Sequence, residues 1–323
     1  MKKNNYNLFE KIRNPEEAYW LGFLTADGSV YKSKWLHANG TTYSSSKIEL
    51  CLQASDADHL KKFAKFTGIP NKVAQNLPTN HLLGSGIAAR RCRFQFSDEN
   101  TLLNLSKLEC GPRKTLRHEF PKRSQVSDKL LNHYLRGYLD GDGSIACKKG
   151  TAYKNGQILC NWTVAFAGSW YFINGLGKKL KKIFGKEFSY YMEEREHSQE
   201  DIEKPFCVLT VSKGLSIKLL LEYLYENSTE ETRMNRKYEK ALEALEYSKR
   251  IISRQNRLMI FKGPDGEIHK VKNNNAKEFA KKHTISYAQI FSLRTGKSKK
   301  SKEGWTCLNV EDWKDSNAMF YNL

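Results

Sequence analysis

Two nine-residue segments of this chain match in register: Trp20-Leu21-Gly22-Phe23-Leu24-Thr25-Ala26-Asp27-Gly28 and Leu135-Arg136-Gly137-Tyr138-Leu139-Asp140-Gly141-Asp142-Gly143. Each is mostly apolar, carries glycine at its third position, and ends in a small residue, aspartate and glycine. A surface helix interleaves polar residues, and the run Tyr19–Leu24 does not, so a helix buried on most sides is expected. The glycines let two helix backbones approach closely. Packed side by side, such helices bring Asp27 and Asp142 to one end. Two carboxylates held close repel unless a cation lies between them. Hard oxygen ligands favour Mg²⁺, with Mn²⁺ as a substitute. A magnesium cluster on two carboxylates is machinery for phosphodiester hydrolysis.

The segments around these motifs repeat as well. Asn14 is placed to cap the first helix, with Pro15 at its first position and Glu16 and Glu17 at its positive end. Gly28 is expected to turn the chain out of it. Residues 47–53 and 91–96 alternate like half-buried strands, and 58–66 and 100–108 read as helices. In the second half, Ser127 is expected to cap the motif helix. Strands follow at 162–166 and 206–211, with helices at 171–184, 215–225 and 235–247. Asp27 and Asp142 stand 115 residues apart, a plausible length for one α+β half. The reading is an α+β fold with halves at 1–122 and 123–248, followed by a third region at 249–323.

Lys+Arg number 54 against 35 Asp+Glu, a net charge of +19. Charge this one-sided matches a polyanion, and nucleic acid is the expected partner. No apolar run approaches membrane length, and no apolar segment follows the first six residues. Seven cysteines (51, 92, 110, 147, 160, 207, 307) form no Cys-x-x-Cys pair, and no zinc spacing appears among the histidines. Reduced thiols and an intracellular setting, cytoplasm or nucleoid, are expected.

Across residues 10–247 the chain resembles the LAGLIDADG homing endonucleases, on the strength of the two motifs, their spacing and the strand–helix order. The resemblance implies two pseudo-symmetric αββαββα halves whose motif helices form the interface and whose saddle-shaped four-stranded antiparallel sheets lie on a DNA major groove. It implies that Asp27 and Asp142, with the neighbouring backbone at Ala26 and Gly141, hold the metals. Cleavage of a long asymmetric double-stranded site across the minor groove, leaving 3′ overhangs and serving intron or gene mobility, follows from it, as does action as a monomer. Thr25 departs from the pattern by standing where the family often has an acid, matched here by Asp140. The family also places a lysine near each scissile phosphate or its water. Lys114 in Gly111-Pro112-Arg113-Lys114-Thr115 and Lys237 in Met234-Asn235-Arg236-Lys237-Tyr238 fit those places, with transition-state charge stabilisation as their role. Gln53 and Ser55, at the end of a saddle strand, are candidates for ordering water or contacting DNA, and Arg91, Arg93 and Gln95 are candidates for DNA contact.

Residues 249–302 carry 15 Lys/Arg against three acids. A hairpin turn is expected around Gly263-Pro264-Asp265-Gly266. Asn275 then caps one short helix, Ser286 caps a second, and Gly296 stops it. This region resembles the modular helix-turn-helix DNA-binding repeats attached to intron-encoded nucleases. The resemblance implies a recognition helix presenting Tyr287, Gln289 and Arg294, with Lys297, Lys299 and Lys300 on the backbone. The competing reading is a non-cleaving nucleic-acid-binding protein, either a maturase that folds intron RNA or a DNA-binding regulator.

Overall fold

A computed structural model describes residues 7–36, 40–82, 88–112, 114, 117–152, 158–195 and 205–310. Arg113, Thr115 and the end of the tail (311–323) lie outside the described residues. The chain divides into two compact units, 1–146 with 163–245 and 147–162 with 246–323. Both expected halves contribute to the first unit.

The first half runs α1 (Pro15–Asp27), β1 (Ser29–Leu36), β2 (Thr42–Gln53), α2 (Ala57–Thr67), β3 (Ala74–Leu82), β4 (Ala88–Ser97), α3 (Glu99–Lys107). The second repeats that order as α4 (Leu131–Asp142), β5 (Ser144–Ala152), β6 (Ile158–Ser169), α5 (Trp170–Phe184), β7 (Tyr191–Arg195), β8 (Phe206–Val211), α6 (Gly214–Tyr225), and α7 (Asn235–Asn256) follows. The sheets have matching strand orders, β1-β2-β4-β3 and β5-β6-β8-β7. The strand pairs whose register is resolved are antiparallel throughout. The repeat read from the sequence is therefore the architecture.

Helix α1 begins as its residues dictate. The Asn14 side chain accepts from the Glu17 backbone N–H at 2.9 Å, and Pro15 occupies the first turn. Tyr19, Trp20, Phe23 and Leu24 are fully buried, each stabilising by roughly 1.5–3 kcal/mol. Trp20 and Phe23 pack at a tilt against each other and against His59 of α2, and Trp20 against Phe63, with ring centroids 5.0–5.7 Å apart.

Several boundaries differ from expectation for local physical reasons. Ser127 caps nothing in α4. Residues 127–130 form a separate turn, and α4 starts at Leu131 without a side-chain cap. Gly28 and Gly143 are extended, not left-handed (φ −78° and −87°). Glycine is needed there for space, because a Cβ would come within 2.6 Å of the Leu24 carbonyl oxygen and 2.8 Å of that of Leu139. Cys147 is disulfide-bonded, against the expectation of reduced thiols, while Cys51, Cys92, Cys110 and Cys207 are free thiols. Spacing along the chain carries no sign of such a bridge, which depends on Cα separation in the fold.

In the second unit β9 (Leu258–Lys262), β10 (Ile268–Lys272) and β11 (Thr306–Cys307) form a sheet in the order β10-β9-β11. Gly266 supplies the positive φ (+90°) of the expected turn. Two short helices, α8 (Ala276–Lys282) and α9 (Tyr287–Arg294), share a core with Phe261 and Trp305. Ser286 caps α9 in a reciprocal box with Gln289. Asn275 makes no side-chain cap, because a 3₁₀ turn (Asn273–Asn275) leads straight into α8. Gly296 ends α9 at φ +71°.

Candidate active site

Helices α1 and α4 lie against each other at their glycines. A Cβ on Gly22 would fall 1.9 Å from the Tyr134 carbonyl oxygen, and a Cβ on Gly137 would fall 1.9 Å from that of Tyr19. The contact is reciprocal and 115 residues apart on both sides, so the two helices cross about a local two-fold axis. Only glycine permits that approach.

The consequence appears at the helix ends. Gly141 sits so near α1 that a Cβ there would lie 2.6 Å from Cβ of Ala26 and 3.4 Å from Cβ of Asp27. Asp27 and Asp142 thus share one end of the helix pair, as the motifs predicted. Asp27 opens to solvent on one side, yet protein crowds it enough that burial, and then the Asp142 charge, pushes its carboxyl up to about 7. Burial also raises Asp142. The repulsion is reciprocal, so the pair resists carrying two charges without a compensating cation.

Two lysines supply part of that compensation, unequally. Lys237, on α7, is buried and donates to the carbonyls of Leu139 (2.7 Å), Asp140 (2.8 Å) and Gly143 (2.8 Å). An ammonium has three donors, and here all are taken. Lys237 caps the C-terminal end of α4, where a cation suits the helix dipole. Burial pulls its pKa down to about 8. Lys114 is half-buried and reaches the Ala26 carbonyl at 3.4 Å, leaving donors to spare among the described residues. Both aspartates feel Lys114 ahead of Lys237. Both lysines lie beside this end of the helix pair, but not with equal freedom.

Sequence reasoning passed over the buried polar groups that hold this end together. Asp140 is 1% exposed, and one carboxylate oxygen accepts from the Tyr19 hydroxyl (2.8 Å) and the Met234 backbone N–H (2.8 Å). The bond to Met234 fixes the start of α7 and hence the reach of Lys237. The Tyr19 hydroxyl also lies 2.9 Å from His59 Nε2. In motif 1 the matching Thr25 instead bonds back to the Leu21 carbonyl at 2.8 Å. Arg236 forms a bidentate pair with buried Asp56 (2.9 and 3.0 Å), tying α7 to the turn before α2. The signal in the sequence was Asp140 itself, an acid directly after the apolar Tyr138-Leu139 and two residues before the motif aspartate.

The outer face of the first sheet carries the other expected residues. Gln53 pairs with Arg91 and Glu49 with Gln95, and Arg93 lies 3.9 Å from Glu49. Arg91 is near enough to act on Asp27. Ser55 is exposed in the turn that follows β2.

The tail distributes its candidates differently. Tyr287, Lys297, Lys299 and Lys300 are exposed. Gln289 is committed to its capping box and to Glu303 at 2.9 Å. Arg294 is 5% exposed and bonds Asn273, so it faces inward. It lies four residues beyond buried Ile290 and shares its helix face, a spacing the sequence displays.

No family model matches the chain, and no curated protein matches it. Among solved structures it is similar to LAGLIDADG homing endonucleases. I-SmaMI bound to cleaved DNA is 14% identical, with 75% of this chain and 91% of that one covered, at a TM-score of 0.48. I-GzeII in complex with its DNA target is 12% identical, covering 85% and 99%, at 0.49. I-LtrWI bound to target DNA is 12% identical, covering 73% and 92%, at 0.46. At these identities the likeness concerns fold alone.

Proposed function

We propose that this chain is a site-specific, magnesium-dependent endonuclease acting on double-stranded DNA. The observation that carries the reading is the glycine-mediated crossing of α1 and α4, which delivers Asp27 and Asp142 to one place with both carboxyls pushed up by burial. The donor set fits a hard divalent cation: two carboxylates with charge to be neutralised, and the backbone carbonyls of Ala26 and Gly141 beside them. Magnesium held there would supply Lewis-acid activation of a phosphodiester and of water. The chain's own residues do the rest. Asp27 and Asp142 hold the cation, one from each half. Lys114 offers a free ammonium to the negative charge that builds on the phosphate. Lys237 and Asp140 keep the end of α4 in place, so that Asp142 is presented without rearrangement. The net charge of +19 and the cationic outer face of the first sheet favour a polyanion.

The test is cleavage of a supercoiled plasmid carrying the joined flanks of the gene's own insertion point. With Mg²⁺ the full chain should linearise it at one position, leaving 3′ overhangs, and a chelator should stop the reaction. Tight binding without cuts, or a preference for intron RNA over the duplex, would replace the nuclease reading with that of a binding protein.

A further inference from the structure

The two sheets match strand for strand, which allows a rung-by-rung comparison of their outer faces. In the first, Ile48, Leu50, Phe94 and Phe96 point into the core. The opposite face carries Glu49 across from Gln95, Cys51 across from Arg93, and Gln53 across from Arg91. The central strands of the second sheet end on a matching rung: Gln53 across from Arg91 closes the first pair, and Ser169 across from Phe206 closes the second.

The chemistry of the matching rungs differs. Where Glu49 faces Gln95, Ala165 faces Thr210, and where Cys51 faces Arg93, Ala167 faces Val208. Val208 and Thr210 are buried, so at these rungs Ala165 and Ala167 supply the accessible surface, and the floor lacks any forked donor. Among the described residues, the long polar side chains of this face stand on the edge strands, Lys148 on β5 and Glu193 and Arg195 on β7. Arg195 there lies 3.6 Å from Glu193, which spends part of its charge.

Arginine pairs bidentately with guanine O6 and N7, glutamine with adenine N6 and N7, and alanine or a threonine methyl meets the thymine methyl. We propose that the two sheets select their half-sites by different chemistry. Arg91, Arg93 and Gln95 read purine edges strictly. The Ala165–Ala167 floor accepts its half-site through thymine methyls and groove shape. The target is then unequal, with one strict half rich in guanine and adenine contacts and one permissive, A·T-rich half. This rests on the reading of the chain as a double-stranded DNA binder.

The experiment is selection from a random duplex pool with the full-length protein in chelator, so that binding is read without cleavage. The expected pool is strongly constrained on one side of its centre and loosely on the other. Arg93→Ala and, separately, Gln95→Ala should each relax the preference at one base pair of the strict half by roughly tenfold or more. Two equally strict halves would overturn the inference. So would both variants leaving every base preference within about twofold. A pool that shows no enrichment at all removes the DNA reading, and this inference with it.

Discussion

Lys114 and Lys237 occupy matching places after their motifs, yet their surroundings assign them different work. Replacing Lys237 with methionine leaves three carbonyls at the end of α4 without their donor. Each unsatisfied buried group costs about 1–3 kcal/mol, so Lys237→Met is expected to lower Tm clearly. Lys114 has one long contact to lose. Lys114→Met should leave Tm nearly unchanged while cleavage slows by about 10²–10³-fold, the size of effect seen when a transition-state donor is removed. Thermal melts beside single-turnover cleavage separate the two. An equal loss of rate with no change of Tm for both variants would restore equal roles. At this scale the sequence named the residues but not their freedom. Donor counting needs coordinates, because the three carbonyls that occupy Lys237 lie 94–98 residues away in the chain.

Among the elements, the crossing of α1 and α4 is the most demanding. Gly22→Ala or Gly137→Ala would force a Cβ against backbone, not against a yielding side chain. Overpacking of this kind costs about 3 kcal/mol, a fall in Tm of roughly 6–12 °C for a unit this size. Differential scanning calorimetry reads it directly, and a wild-type Tm for both variants would mean that the helices do not cross there. Strands β2, β4 and β6 were legible because burial on one face imposes a period, and the motif helices and β8 because burial on most sides leaves an apolar run. Strands β1 and β5 were faint and β3 and β7 went unread. The Tyr-Met-Glu-Glu-Arg of β7 is exposed at four of its five positions, so burial imposes no pattern on it. Arg294 was misplaced for the opposite reason: its charge suggested a surface, while its spacing from Ile290 already put it inside.

At the scale of the first unit, two buried histidines make a contribution that acid removes. Burial pulls His59 down to about 3 and His118 to about 4. Both are neutral in the fold and take up protons more readily when unfolded, near 6.5. Their contribution is complete above that value and is lost as pH falls below it, about 2 kcal/mol apiece by about pH 5. The raised Asp27 and Asp142 carboxyls gain stability over the same window, so the histidine share is read as a difference: urea unfolding of His118→Gln should lose less stability than the wild type between about pH 7 and about pH 5. An equal loss in the two proteins would mean that His118 is not buried as a neutral group. The account of function depends on both halves acting together, and one acid from each must be needed for any cut. The most direct measurement is strand cleavage of the plasmid target by Asp27→Asn and by Asp142→Asn, run beside a gel-shift assay of the same proteins on the same duplex. Both variants should still retard the duplex, and neither should linearise the plasmid. Linearisation at the wild-type rate by either variant would contradict the account.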